Sequence, residues 1–120
     1  MNLAVIISVS EYQYAPALPG CKLDAQHMRS MLHLTGRFDD VLVLDQNPSV
    51  PEIRAALKAW IRRHQDDVVD EVFWYFTGHG MYYGDARFCG REFSPQLLEA
   101  TSIANHEVDD FLRRLKPRVV

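Results

Sequence analysis

Apolar runs and amphipathic stripes alternate along the chain, and each predicts one type of element. The run from Leu3 to Ser10 is apolar and rich in β-branched residues, which is typical of a strand buried on both faces of a parallel sheet. Shorter apolar runs at Val41–Leu44 and Val72–Phe76 predict a second and a third strand. Val119 and Val120 resemble the first residues of a fourth strand.

Two helices are predicted between the first three strands. The first extends from Asp24 to Leu34, with Asp24 as its N-cap and Gly36 directly after its end. The second begins at Ser49, which forms a capping-box pattern with Glu52. Apolar residues at helical spacing give this second helix one buried face, formed by Ile53, Leu57, Trp60 and Ile61.

The order of these elements predicts an α/β fold with an open, mainly parallel sheet flanked by helices. A last helix is expected from about Asn105 to Leu115, after a long connection. Within that connection, Arg87–Cys89 and Arg91–Phe93 predict a short hairpin around Gly90. Because a core strand would begin at Val119, we expect residues 1–120 to be the N-terminal part of a larger domain, truncated before its next strand.

Composition and charge exclude several classes of protein. The chain has 120 residues with 48% hydrophobic and 24% charged positions, which is typical of one small globular domain. Its net charge is −3 and no basic stripe is present, so nucleic acid is not the expected partner. The longest strictly apolar run, Leu3–Ile7, is far shorter than the roughly 20 residues of a membrane helix. We expect a cytoplasmic protein without a membrane partner.

Cysteine and histidine spacing does not predict a metal site. The two cysteines, Cys21 and Cys89, are not part of a C-x-x-C motif, and the five histidines form no H-E-x-x-H pattern. Two reduced, partly buried thiols are the simplest interpretation. The loop after the first strand also lacks the glycine pattern of a nucleotide-binding fold.

His79 is the first candidate for chemistry, because it follows the third strand where ligands of open α/β sheets bind. It lies between Gly78 and Gly80, which let the backbone turn sharply. An imidazole there can transfer protons near neutral pH, and the Gly80 amide can stabilise an oxyanion. A surface histidine in a glycine-rich turn is an equally simple interpretation of this spacing.

Four stretches together carry a family resemblance. Val5–Tyr12 is similar to a first strand and its following turn, and Leu18–Ala25 to a glycine-cysteine-x-x-aspartate-alanine entry into the first helix. Phe73–Gly80 resembles a strand that ends in a Ser/Thr-Gly-His-Gly turn, and Thr101–Leu115 resembles a helix before the strand of the nucleophile. In combination they resemble the caspase-like cysteine peptidases, and bacterial caspase-family proteins and metacaspases more than animal caspases.

The resemblance implies hydrolysis of peptide bonds through a thioester, with His79 as acid and base and Gly80 as oxyanion donor. Cys21 and Asp24 match the metacaspase pair that shapes an acidic pocket for Arg or Lys, and Thr77 is expected to contact the substrate there. The N-cap role of Asp24 competes with this pocket role. No cofactor is implied, although some metacaspases are activated by Ca²⁺.

The nucleophile of the family has no counterpart here. In the caspase pattern it follows the histidine by about 50 residues, which places it beyond Val120. No nucleophile motif surrounds Cys21 or Cys89. We therefore expect an endopeptidase that cleaves after Arg or Lys, whose catalytic cysteine lies in a C-terminal remainder of the domain. The alternative is a catalytically inactive caspase-like module with a regulatory or assembly role.

Overall fold

The computed structural model describes residues 1–120, and three parallel strands form its centre. Strand β1 (Asn2–Ser8) lies between β2 (Asp40–Leu44) and β3 (Glu71–Thr77). Helix α1 (Gly20–Thr35) connects β1 to β2, and helix α2 (Val50–Arg63) connects β2 to β3. The predicted α/β fold with a parallel sheet is confirmed.

The residues of β1 are apolar on both faces because β1 is the central strand of the sheet. Leu3, Val5 and Ile7 face the larger core, which α2 and a later helix, α3 (Asn105–Arg113), complete. Ala4 and Ile6 face the smaller core beneath α1. All five side chains are fully buried, because β1 has a strand on either side and helices on both faces.

Helix α1 begins four residues earlier than predicted. It starts at Gly20 with Pro19 at its N-cap position, and no side chain caps it. Proline has a helix-compatible φ and favours the start of a helix, so the first turn forms before Asp24 is reached. Asp24 is therefore not the N-cap, and that prediction is wrong. The predicted end is confirmed, since Gly36 adopts the left-handed conformation with φ of 65°.

The long connection contains a second, antiparallel sheet. Its strands are β4 (Gly80–Tyr82), β5 (Ala86–Cys89) and β6 (Ser102–Ala104). The hairpin predicted around Gly90 is wrong, because β5 pairs with β4 across a turn that contains Gly84 in the left-handed conformation. Gly90 instead packs against the start of α2, where a Cβ would lie 2.8 Å from the Val50 nitrogen.

Caps and pairings fix the remaining elements. The Ser49 side chain accepts a hydrogen bond from the Glu52 amide, as the predicted capping pattern requires. A residue distant along the sequence, Asp85, caps the start of α3. It accepts a hydrogen bond from the His106 amide at 2.8 Å. Val119 forms a parallel bridge to Glu71 on the outer edge of β3, where the fourth strand was expected.

None of the helices combines the length and apolarity needed to span a bilayer.

Candidate active site

His79 lies at the junction of the two sheets, directly after β3 and before β4. Thr77, the last residue of β3, pairs in register with Ser8, the last residue of β1. The carboxyl ends of both strands therefore meet beside the histidine. This is the edge at which open α/β sheets bind their ligands.

The imidazole of His79 is held by the loop that joins β1 to α1. Its Nε2 atom lies 2.8 Å from the carbonyl oxygen of Pro16. A carbonyl oxygen can only accept, so Nε2 carries the proton and donates it to Pro16. In the neutral ring this leaves Nδ1 unprotonated and available to accept a proton from a reacting group.

The backbone of His79 is held by a second residue of the same loop. Its amide donates a hydrogen bond to the hydroxyl oxygen of Tyr12 at 2.7 Å, and the Tyr12 hydroxyl donates to the carbonyl oxygen of Cys89 at 3.2 Å. The Tyr12 and His79 rings meet edge to face, with centroids 4.6 Å apart. Burial raises the pKa of the Tyr12 phenol well above its usual range, so this hydroxyl stays protonated.

The two glycines beside His79 differ in how much space surrounds them. A Cβ on Gly78 would lie 2.6 Å from the Tyr12 hydroxyl oxygen and 3.0 Å from the Phe76 ring. Gly80 is exposed, and a Cβ there would make only an ordinary contact with the backbone of Arg87. Packing therefore requires a glycine at position 78. Packing does not require one at position 80, where the candidate functional group is the backbone amide.

The three predicted substrate-binding residues lie on two elements, Thr77 on β3 and Cys21 and Asp24 on α1. Thr77 belongs to the face of β3 on which Phe73 and Tyr75 pack beneath α1. Cys21 lies in the first turn of α1, on its buried side. Asp24 is one turn further along α1, where its exposed carboxylate makes no hydrogen bond or ion pair within the chain.

Neither cysteine is suited to act as a nucleophile. Cys89 is 1% exposed, and burial raises the pKa of its thiol to about 11. Its amide donates a hydrogen bond to the His79 carbonyl oxygen at 3.0 Å, so its backbone supports the histidine turn. Cys21 is buried too. A reactive thiol needs an accessible, electropositive setting, which neither position provides.

The two loop residues that hold His79 have no recognisable signal in the sequence. Pro16 acts through its backbone carbonyl, and no side-chain pattern reveals where a loop carbonyl will point. Tyr12 belongs to the predicted turn after the first strand, and a single tyrosine there has no distinctive spacing. Its partners, His79 and Cys89, are 67 and 77 residues away along the chain.

Tyr12 also lines a polar cavity of about 360 Å³. The Asn47 side chain forms part of its wall and accepts hydrogen bonds from the amides of Ser10 and Glu11, which ties the loop after β1 to the loop after β2. A larger cavity of about 440 Å³ lies between Tyr83 and residues 95–100 and includes none of the candidate site residues. No cluster of three or more His, Cys, Asp or Glu side chains is arranged to hold a metal ion.

Comparison with known proteins gives a consistent set of matches. A family model described as the caspase domain matches residues 1–119. The chain is 28% identical over 105 residues to caspase-1 of Sus scrofa, and 28% identical over 102 residues to caspase-12 of Canis lupus familiaris. Each alignment covers 85% of this chain but only 24% and 26% of those two proteins. The chain thus spans about a quarter of the length of the curated relatives it matches.

Proposed function

The chain belongs to the caspase domain family of cysteine peptidases, and on that premise we propose that it carries the histidine of a cysteine endopeptidase active site. The observation that supports this most directly is the geometry of His79. Its imidazole lies at the carboxyl end of β3, with Nε2 bound to the Pro16 carbonyl oxygen and Nδ1 left free. A general base needs an available nitrogen in a fixed position.

In the proposed reaction, Nδ1 of His79 accepts the proton of a cysteine thiol, and the thiolate attacks the scissile carbonyl carbon. The carbonyl oxygen becomes an oxyanion, which the amide of Gly80 stabilises. The imidazolium then gives its proton to the leaving amine as the C–N bond breaks, which leaves a thioester. Water, deprotonated by His79, hydrolyses the thioester and regenerates the thiol. The reaction requires no cofactor.

We place the nucleophile on the strand that begins at Val119. This residue pairs in parallel with Glu71 on the outer edge of β3. A strand continuing at that register would draw level with Thr77 about six residues later, because parallel partners advance together. It would then deliver its next residues to the edge where His79 lies. The buried state of both cysteines of this chain supports the same placement.

We propose further that Asp24, Cys21 and Thr77 form the pocket for an Arg or Lys side chain of the substrate. The exposed carboxylate of Asp24 has no partner within the chain, and its N-cap role is excluded by the earlier start of α1. An unpaired carboxylate favours a cationic side chain through charge complementarity.

A second function, an inactive regulatory or assembly module, is favoured by one observation. Within residues 1–120 the outer edge of β3 is paired only near its start, at Glu71 and Val72, and an open sheet edge readily pairs with a strand of another chain. In this case His79 would have a structural role alone.

The experiment uses the protein at its full natural length and peptides with Arg, Lys or Asp before the scissile bond. We expect cleavage after Arg and Lys, and a loss of about a thousandfold in kcat for His79→Ala. His27→Ala is the matched control, because this histidine is exposed on α1. Cleavage after Asp alone would refute the pocket, and absence of cleavage of every peptide would favour the inactive module.

A further inference from the structure

Tyr12 lies where three segments of the active-site region meet. It belongs to the loop after β1, its hydroxyl accepts the hydrogen bond of the His79 amide at 2.7 Å, and the same hydroxyl donates to the Cys89 carbonyl oxygen at the end of β5. One oxygen atom therefore connects the loop, the histidine turn and the antiparallel sheet.

We propose that Tyr12 is a positioning residue for the catalytic histidine, an inference that rests on the function proposed above. Tyr12 fixes the backbone of His79, while Pro16, four residues later on the same loop, fixes the ring through Nε2. The edge-to-face contact between the two rings, at 4.6 Å, further limits rotation of the imidazole. The direction of Nδ1 is thereby determined by a single loop.

The close approach of Tyr12 also explains the glycine before His79. A Cβ at position 78 would lie 2.6 Å from the Tyr12 hydroxyl oxygen, a distance at which one of the two must move. Gly78 therefore provides the space in which the hydroxyl reaches the His79 amide. Gly78 does not adopt a positive φ, so the turn of the chain does not itself require a glycine there. The glycine of the motif before the histidine is required because the Tyr12 hydroxyl lies where a Cβ would be.

The contact matters for rate because a general base must be in the correct position when the proton moves. A displacement of about 1 Å costs about a hundredfold in rate when a reacting group is involved. Without the hydroxyl, the His79 amide has no partner in the chain and the turn is free to shift. Substrate binding, which uses other residues, should change little.

The test compares Tyr12→Phe with Tyr14→Phe in the full-length protein. Tyr12→Phe retains the ring and removes only the hydroxyl, while Tyr14 is 71% exposed on the same loop. We expect Tyr12→Phe to lower kcat about tenfold with KM within twofold, and Tyr14→Phe to change neither. A Tyr12→Phe enzyme with the wild-type kcat would overturn the proposal, as would a loss confined to KM.

A double-mutant cycle separates positioning from general destabilisation. Gly78→Ala forces the new methyl group against the Tyr12 hydroxyl, so it should lower kcat strongly in the wild-type background and less in the Tyr12→Phe background. Simple additivity of the two changes would contradict the proposed coupling.

Hydrogen exchange of the His79 amide gives a readout that does not depend on peptidase activity. We expect exchange at least about tenfold faster in Tyr12→Phe than in wild type and in Tyr14→Phe. If the wild-type protein cleaves no peptide, the proposed function fails, but the exchange rate still decides whether Tyr12 holds the histidine turn. An unchanged rate would overturn the proposal in either case.

Discussion

An aspartate near the start of a helix has two common roles, and at Asp24 the path of the backbone decides between them. The helix begins at Gly20, so Asp24 lies beyond the first turn and cannot accept the free amides there. Its carboxylate remains exposed and unpaired. A residue that makes no stabilising contact within the chain is free to serve a ligand.

For Asp24→Asn we predict a loss of about a hundredfold in kcat/KM on Arg peptides, because the substrate cation loses its counter-charge. Thermal unfolding should be nearly unchanged. A cap residue would behave in the opposite way and cost about 1 kcal/mol of stability. Asp66→Asn is the control, since Asp66 is an exposed carboxylate after α2.

Gly90 is a second residue whose role depends on its surroundings. A Cβ there would lie 2.2 Å from a Glu92 carboxylate oxygen, and Glu92 in turn accepts the hydrogen bond of the Val50 amide at 3.1 Å. We predict that Gly90→Ala lowers the free energy of unfolding by about 1–3 kcal/mol in urea titrations. Gly20→Ala, which has open space around it, should be neutral or stabilising.

At the scale of elements, the sequence was sufficient wherever one pattern dominated. The apolar run of β1 and the stripe of Ile53, Leu57, Trp60 and Ile61 each allow one interpretation, and both are found in the core. The short strands β4, β5 and β6 have no such pattern, because three or four residues are too few to show alternation. Their pairing depends on contacts with distant elements, which sequence reasoning does not supply.

An ion pair joins helices α2 and α3. It lies on the face of α2 that the sequence predicts to be polar. Arg54 donates two hydrogen bonds to the Glu107 carboxylate, at 2.7 and 3.0 Å. Each side chain is about a third exposed, so water screens part of the attraction. Arg54→Ala should cost about 1 kcal/mol of unfolding free energy, whereas Lys58→Ala on the same exposed face should cost little. Equal effects of the two substitutions would contradict a specific link between the helices.

At the scale of the whole molecule, acid should destabilise the fold. Five carboxyl groups have pKa values below their ordinary range, namely those of Asp40, Glu52, Asp70, Asp85 and Glu107. At Asp40, burial acts to raise the pKa, but hydrogen bonds from His64 and Trp60 and the charge of Arg63 together lower it. These contacts join the start of β2 to the end of α2.

The sign of the effect follows from these lowered pKa values. Each group stabilises the fold fully above its unfolded pKa, near about 4, and loses that contribution as pH falls through the lower folded value. Urea unfolding between pH 7 and pH 2 should show this decline. Asp40→Asn should be less stable than wild type at pH 7 and less sensitive to acid, and an unchanged acid slope would contradict the assignment.

Some features of the candidate site follow from the local sequence, whereas others depend on contacts between distant residues. His79 and its glycines could be found from sequence because the motif is continuous and follows a strand. The orientation of its ring could not, because the partners of His79 lie 63 and 67 residues earlier in the chain. The sequence therefore identifies the reactive imidazole, and the fold determines the direction in which its ring points.

The hydrogen bond between Tyr12 and Cys89 also has a consequence for the order of folding. It joins residues 77 positions apart, and loop closure over such a distance is slow relative to local helix formation. A chain synthesised from its N-terminus exposes Tyr12 long before β5 leaves the ribosome. Helices α1 and α2 can form meanwhile, but the histidine turn acquires its final geometry only when the antiparallel sheet docks. The nascent chain therefore remains without an oriented histidine at least until β5 has been made and has docked.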